Sequence, residues 1–420
     1  MIPSPAPGPA LPRWATRSLP AGACALLAST AALAAAAPVH VQEAPGWPRA
    51  DVAGILMPHP AGGVVEATSG LVRSWPSMSF TDAGRVRWTN SHVPACSNCE
   101  GVSVPRLLRD GRYGPIGPLW SGAWSVTRSG ATAPSCVGDV TASGWCVEDG
   151  TRPANRVTVV GTRGADPGWT YQDPSFIPAF DDGSAIAPVV VDDGGTAYAS
   201  YARDVGSGSL LIALDATTGA VRWRREAAAA QTLEAGTPLT GLKDGFLLAV
   251  RSSDTRVVSY ASTGAVRWTL RRPEWVDGVV VDAARGRAYV NYRSAARSVA
   301  AVNLSSGAAA WISPAGVDTR ALSAGPAGVL LAVDTPTSHE LRAVDAAGRA
   351  RWVWTSATPV ASALATSPRR VFASAPALTS DAVGLLHALD VVPGPARGTR
   401  AALSLVRTPS AEADCSARAA

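Results

Sequence analysis

A phrase ending in Gly-x-x-x-Trp recurs along the chain and limits its fold more than any other feature. It runs Phe80-Thr-Asp-Ala-Gly-Arg-Val-Arg-Trp88, Ala213-Leu-Asp-Ala-Thr-Thr-Gly-Ala-Val-Arg-Trp223, Ser259-Tyr-Ala-Ser-Thr-Gly-Ala-Val-Arg-Trp268, Ala301-Val-Asn-Leu-Ser-Ser-Gly-Ala-Ala-Ala-Trp311 and Ala343-Val-Asp-Ala-Ala-Gly-Arg-Ala-Arg-Trp352. The last four tryptophans stand 45, 43 and 41 residues apart, with no helix-length apolar pattern between them. A period of that size filled by short β-type runs is the mark of a four-stranded propeller blade.

Each unit repeats one grammar. Ala187–Val191 reads as a strand, Asp192-Asp-Gly-Gly195 as a turn, Thr196–Tyr201 and Leu210–Leu214 as two more strands, and Ala220–Trp223 as a fourth after Asp215-Ala-Thr-Thr-Gly219. Asp or Asn at the turn can accept from the backbone two residues on, and the glycine takes the positive φ that closes the hairpin. The expected docking glycines are therefore Gly84, Gly219, Gly264, Gly307 and Gly348. Tryptophan supplies apolar surface that one blade alone cannot bury, so it is expected to fill the space between neighbouring blades.

The phrase resembles the tryptophan-docking repeat of the quinoprotein-like (PQQ-like) β-propeller family, with five close copies between residues 80 and 352. Degenerate units lie at 125–134, where Pro134 stands in the tryptophan's place, at 157–169, which supplies Trp169, and at 386–398, where Ala388-Leu-Asp390 has no tryptophan. Eight units over residues 47–408 give about 45 residues each, so an all-β propeller of eight blades is expected, with seven as the fallback. Trp88, Trp169, Trp223, Trp268, Trp311 and Trp352 are expected at equivalent positions between blades. Closure of the ring is expected from Val52–Leu56 or Leu403–Leu405. Residues 91–150 form an irregular cysteine-containing region within the propeller, and 409–420 a polar tail.

Composition agrees with this architecture. Forty glycines and 33 prolines among 420 residues, without a three-residue period, exclude collagen and favour many turns, while 47% apolar and 16% charged residues exclude wholesale disorder. The net charge of +5 comes almost wholly from arginine, since Lys243 is the single lysine. Those arginines are scattered, with only Arg224-Arg225, Arg271-Arg272 and Arg369-Arg370 adjacent, whereas a phosphate-tracking surface needs a converging stripe. No nucleic-acid partner is expected.

Residues 1–37 have the layout of an export signal: Arg13 and Arg17, then an alanine-rich apolar stretch to Ala37, with small residues placing cleavage after Ala36. An uncleaved anchor is the alternative. Cys24 lacks the leucine a lipobox requires, and no later apolar run reaches spanning length. A secreted or envelope-associated monomer is expected. In an oxidising compartment Cys96, Cys99, Cys136 and Cys146 are disulfide candidates, with the local pairs Cys96–Cys99 and Cys136–Cys146 favoured among three connectivities, and Cys415 left over. A haem attachment fails because Glu100, not histidine, follows Cys99. A zinc set of His92, Cys96 and Cys99 with Cys136 or Cys146 and a redox pair are weaker alternatives.

For function the resemblance implies two classes: a protein-binding propeller without catalysis, and a dehydrogenase oxidising an alcohol or sugar with PQQ and Ca²⁺. The second calls for adjacent cysteines beside the cofactor, and the chain has no Cys-Cys dipeptide. The acidic groups Asp181-Asp182-Gly183 and Asp192-Asp193-Gly194 read as turns, because Ala185–Val191 offers no further oxygen ligands for calcium. His59, His92, His339 and His387 are far apart, read as single surface residues, and have no nucleophile elbow. The expectation is a non-catalytic scaffold with no cofactor and no metal, binding an envelope or extracellular protein. A carbohydrate- or wall-binding propeller is a further alternative. The candidate contact surface is the region from His92 to Asp149, with Trp120, Trp124, Trp145, Arg106, Arg109 and Arg112 as residue types that dominate interfaces.

Overall fold

The computed structural model describes residues 39–393, apart from 52–53, 69–76, 91–105, 110, 117–123, 130, 135, 137, 151–155, 165, 177–188, 203–207, 228–238, 252–254 and 376–383. Nearly every described element is a strand, and Ala283–Arg285 forms one 3₁₀ turn. The strands make eight antiparallel sheets among the described residues, seven of four strands and one of five. Each four-stranded sheet takes its strands in chain order, covering 54–90, 106–134, 139–172, 190–227, 239–272, 275–312 and 318–356. These are the first to seventh blades of the expected eight.

First strands of successive blades lie against one another, as Asp318–Gly325 does against Trp275–Asp282 and Ser362–Ser367, which puts them at the axis and the fourth strands at the rim. The middle strands read Ser209-Leu-Leu-Ile-Ala-Leu-Asp215, Gly245-Phe-Leu-Leu-Ala-Val-Arg251 and Gly328-Val-Leu-Leu-Ala-Val-Asp334, with no polar alternation. Both faces of such a strand are buried, because side chains alternate between the blade before and the blade after. Leu210, Ile212 and Leu214 pack with Val147 and Val159 of the third blade, while Leu211 and Ala213 pack with Phe246, Leu248 and Tyr260 of the fifth.

The repeated phrase is the outer hairpin of the first blade and of the fourth to seventh. Asp215 Oδ1 accepts from the amides of Thr217 and Thr218, both at 3.0 Å, and Gly219 sits at φ 72°. Five tryptophans lie under the glycine of the next blade so closely that a side chain would collide. A Cβ on Gly219 would stand 2.5 Å from Trp169, on Gly264 3.0 Å from Trp223, on Gly307 2.7 Å from Trp268, and on Gly348 2.9 Å from Trp311. The fifth, Trp47, was not among the expected set: it is 8% exposed and lies 2.9 Å from a Cβ on Gly84. The indole N–H donates to a turn carbonyl at four junctions: Trp88 to Arg128 (3.0 Å), Trp169 to Ala216 (3.3 Å), Trp223 to Ser262 (2.7 Å) and Trp268 to Leu304 (2.8 Å).

The arginine before the tryptophan also has a use that the sequence did not disclose. Arg87 Nη2 donates to the carbonyls of Ala61 and Gly62, Arg267 to that of Asp244, and Arg351 to that of Ala327. Each target lies in the first turn of the same blade, so the pair fastens the rim strand inward while the tryptophan fastens it sideways.

Closure departs from expectation. Val39–Glu43 pairs antiparallel with Gly384–Pro393 and forms the outer strand of the eighth blade, upstream of the anticipated start at 47. Arg49–Asp51 pairs farther along the same strand, and between them Trp47 turns inward against Phe372 and Phe80. Residues 54–58 are the first strand of the first blade instead, and Leu403–Leu405 lies outside the described residues. A ring of blades leaves no unpaired third strand when one chain end supplies the missing fourth.

Residues 91–150 are also more regular than expected. They hold the second blade, with strands Arg106–Leu107, Tyr113–Ile116, Trp124–Val126 and Thr132–Pro134. Strands of two to four residues carry too little periodicity to be read as strands. Pro134 pairs with Trp124, and without the bulge of the other blades Ala133, opposite Ser125, takes the register position that tryptophan holds there. At that junction Leu108 packs instead on Val140 and the Cys136–Cys146 disulfide. A cross-link closing a ten-residue separation restrains the unfolded chain by about 2.7 kcal/mol in the chain-entropy account. A Cys136→Ala, Cys146→Ala double variant should lose about that much stability in a denaturant titration, and an unchanged midpoint would contradict the role. Cys96 and Cys99 lie outside the described residues.

Candidate functional site

The second and third blades bring part of the expected contact surface together and give it another task. Arg109 reaches over the third blade to the first turn of the fourth, where Nη1 donates to Asp192 O at 3.2 Å and Nη2 to Val191 O at 2.8 Å. Its Nη1 also pairs with Asp193 Oδ1 at 3.0 Å. Asp139 Oδ2 accepts from Val191 N beside it at 2.9 Å. Arg109 is thus a brace between inner turns, not a free surface cation. Arg112 is half-buried and partnered. Trp145 follows the Thr141–Gly144 turn and is half-buried, with its indole N–H lacking an acceptor among the described residues. Arg106 and Trp124 lie in strands of the second blade, and Trp120 and His92 fall outside the described residues.

The acidic side chains are taken up by turns and clasps. Asp192 is 1% exposed; it accepts from Thr196 N at 2.8 Å and from the Tyr198 hydroxyl at 2.5 Å. Burial, reinforced by that bond to Asp192, pushes the Tyr198 phenol well above its ordinary range. Asp181 and Asp182 lie outside the described residues.

Asp173 is the most heavily engaged acid. It follows the last strand of the third blade and accepts from Tyr171 Oη, Ser175 N, Ser175 Oγ and Phe176 N, and from Arg224 of the fourth blade through Nε at 2.7 Å and Nη2 at 3.2 Å. Burial alone would raise its pKa, but the Arg224 bonds, then the Ser175 amide, the Tyr171 hydroxyl and the Phe176 amide, hold the carboxyl well below the usual range.

The histidines are built into junctions. His387, expected at the surface, is 7% exposed: its Nδ1 lies 2.5 Å from Glu43 Oε1 on the closing strand, and its ring meets Trp354 edge-on at 4.8 Å. His339 Nδ1 lies 2.8 Å from Asp334. His59 stacks on Tyr113 between the first two blades, and burial, with the Arg87 and Arg128 charges, lowers its pKa against the opposing bond to Arg128 O. Among the described residues, the one group of His, Cys, Asp or Glu within metal-binding reach is Cys136, Cys146 and Glu148, whose two sulfurs are bonded to each other.

Residues 206–383 match a family model described as outer membrane protein assembly factor BamB. That stretch runs from the fourth blade to the eighth. The chain is a β-propeller whose residues 206–383 are similar to PQQ-like repeats. It shares 15% identity with BamB from Moraxella catarrhalis, covering 85% of this chain and 99% of that one with a TM-score of 0.52. The quinohemoprotein alcohol dehydrogenase from Comamonas testosteroni gives 12% identity over 86% of this chain and 77% of that one, with a TM-score of 0.54. A Dos1 propeller gives 9% identity over 84% and 95%, with a TM-score of 0.53. No curated protein matches by sequence. At these identities the likeness to solved structures is one of fold, which many functions share. No described helix is long and apolar enough to cross a membrane.

Proposed function

We propose that this PQQ-like propeller is an exported, non-catalytic scaffold that binds another protein in the cell envelope or outside the cell. The observation that carries the reading is the use of its reactive side chains as fasteners between turns and blades. Asp173, Asp192, Arg109 and His387 each face partners within the propeller. Acid–base and nucleophilic catalysis both need such groups converging on one point with shifted pKa values. The match to the BamB model supports a binding role, and the apolar, proline-following leader supports export.

The dehydrogenase alternative asks for a PQQ site. The chain has no adjacent cysteines, and the cavity formed between its seventh and eighth blades, about 200 Å³, has no carboxylate in its lining. The lining of that cavity does not fit a quinone cofactor with its calcium. Titrating the protein with PQQ and Ca²⁺ while recording the quinone absorbance and dye-linked oxidation of alcohols and sugars should show neither saturation nor turnover. Saturable binding with turnover would replace the scaffold by an enzyme.

A further inference from the structure

The junction of the seventh and eighth blades departs from the other tryptophan junctions. Trp352 ends the phrase in the seventh blade, and in the repeat its cover would be the outer hairpin turn of the eighth. That blade has no such hairpin, because its third strand runs on to Pro393 and its fourth arrives from the other end of the chain. Among the described residues no docking glycine lies on Trp352. A cavity of about 200 Å³ stands there, with Trp352, Val39, Val391, Pro368, Arg351 and Arg369 in its lining. Trp352 is 5% exposed.

We infer that this cavity is a socket for an acidic, glycine-containing turn of a partner protein. Size excludes a cofactor or an oligosaccharide and suits a turn and one side chain. The junctions of Trp169, Trp223 and Trp268 show what such a socket takes: a glycine against the indole face, and a backbone carbonyl that accepts from the indole nitrogen, as Leu304 O does from Trp268. Two guanidinium groups without an acid among the lining residues select a carboxylate beside that glycine. The turns that fill equivalent junctions carry such a carboxylate: Asp215 in the fourth blade and Asp345 in the seventh. The partner would thus supply the outer turn that closure by the chain end removed.

This inference rests on the scaffold reading, and its test separates the two. The probe is a peptide with the sequence of residues 213–221, Ala-Leu-Asp-Ala-Thr-Thr-Gly-Ala-Val, flanked by two added cysteines and cyclised through their disulfide, titrated into the full chain by calorimetry. Saturable one-to-one binding is expected. Trp352→Phe keeps an aromatic ring but removes the donor, and Arg369→Glu reverses an exposed charge; each should weaken binding about tenfold, and Arg369→Glu should leave the melting curve unchanged. A peptide with valine in place of its glycine should not bind. Absence of binding, including the case in which the chain beyond Pro393 already fills the socket, overturns the proposal, as does equal binding by both variants. If Arg369→Glu protein still captures its partner from envelope extracts, the socket fails and the scaffold stands. If neither protein captures one, the scaffold fails too.

Discussion

Replacing Trp268 with alanine should destabilise the propeller by about 3 to 5 kcal/mol, read from the denaturant midpoint. The indole is 7% exposed, lies beneath Gly307 and donates to Leu304 O at 2.8 Å. Truncation loses the transfer energy of the ring and leaves a cavity that two hydrogen-bonded sheets cannot collapse into. Trp268→Phe should recover part of the loss, because it retains the stack without the donor. Trp275→Ala, at a side chain 48% exposed on the first strand of the sixth blade, should cost far less. A Trp268→Ala protein as stable as the parent would remove the docking role.

The second large effect is expected at Asp173. Alanine there strips the acceptor from the Arg224 guanidinium, two backbone amides and two hydroxyls in one step. Unpaired buried donors are costly, and Arg224 keeps Glu226 at 2.6 Å as a second partner, so the loss should be about 3 kcal/mol. The same clasp sets a sign for acid sensitivity. The folded carboxyl titrates below its unfolded value, so its contribution is complete above the ordinary carboxylate range and fades as pH falls beneath it. The parent should therefore lose stability steeply below about pH 4, and Asp173→Asn should flatten that slope. Identical acid profiles for the two proteins would show that the clasp does not contribute.

Both effects arise from parts of the molecule that differ in legibility. The docking tryptophan was readable because the glycine and the tryptophan recur at one spacing, and because turn chemistry is local. Asp173 was not, since its chief partner lies 51 residues away in another blade. The same limit hid the closing strand, Val-His-Val-Gln-Glu, which carries no motif and pairs with residues at the far end of the chain. Trp47 is not legible in the sequence because no Gly-x-x-x-Trp phrase precedes it. Arg109 read as a surface cation because nothing in its neighbourhood foretells carbonyl acceptors 82 and 83 residues on. The Cys136–Cys146 pair was readable for the opposite reason, its loop being short. Local chemistry thus reports the blades, and the contacts between blades decide which polar residues remain for function.

Arg109→Ala would disturb that framework and is a poor probe of binding. A cleaner test uses the unaltered chain. Affinity capture from the envelope fraction of its source, with each co-purifying protein quantified against the bait, addresses the scaffold reading most directly. The account predicts one protein or a few recovered in near-stoichiometric amount and reproducibly, released when salt or competing peptide disrupts the contact. A bait recovered alone, from cells that demonstrably export it, would contradict the account.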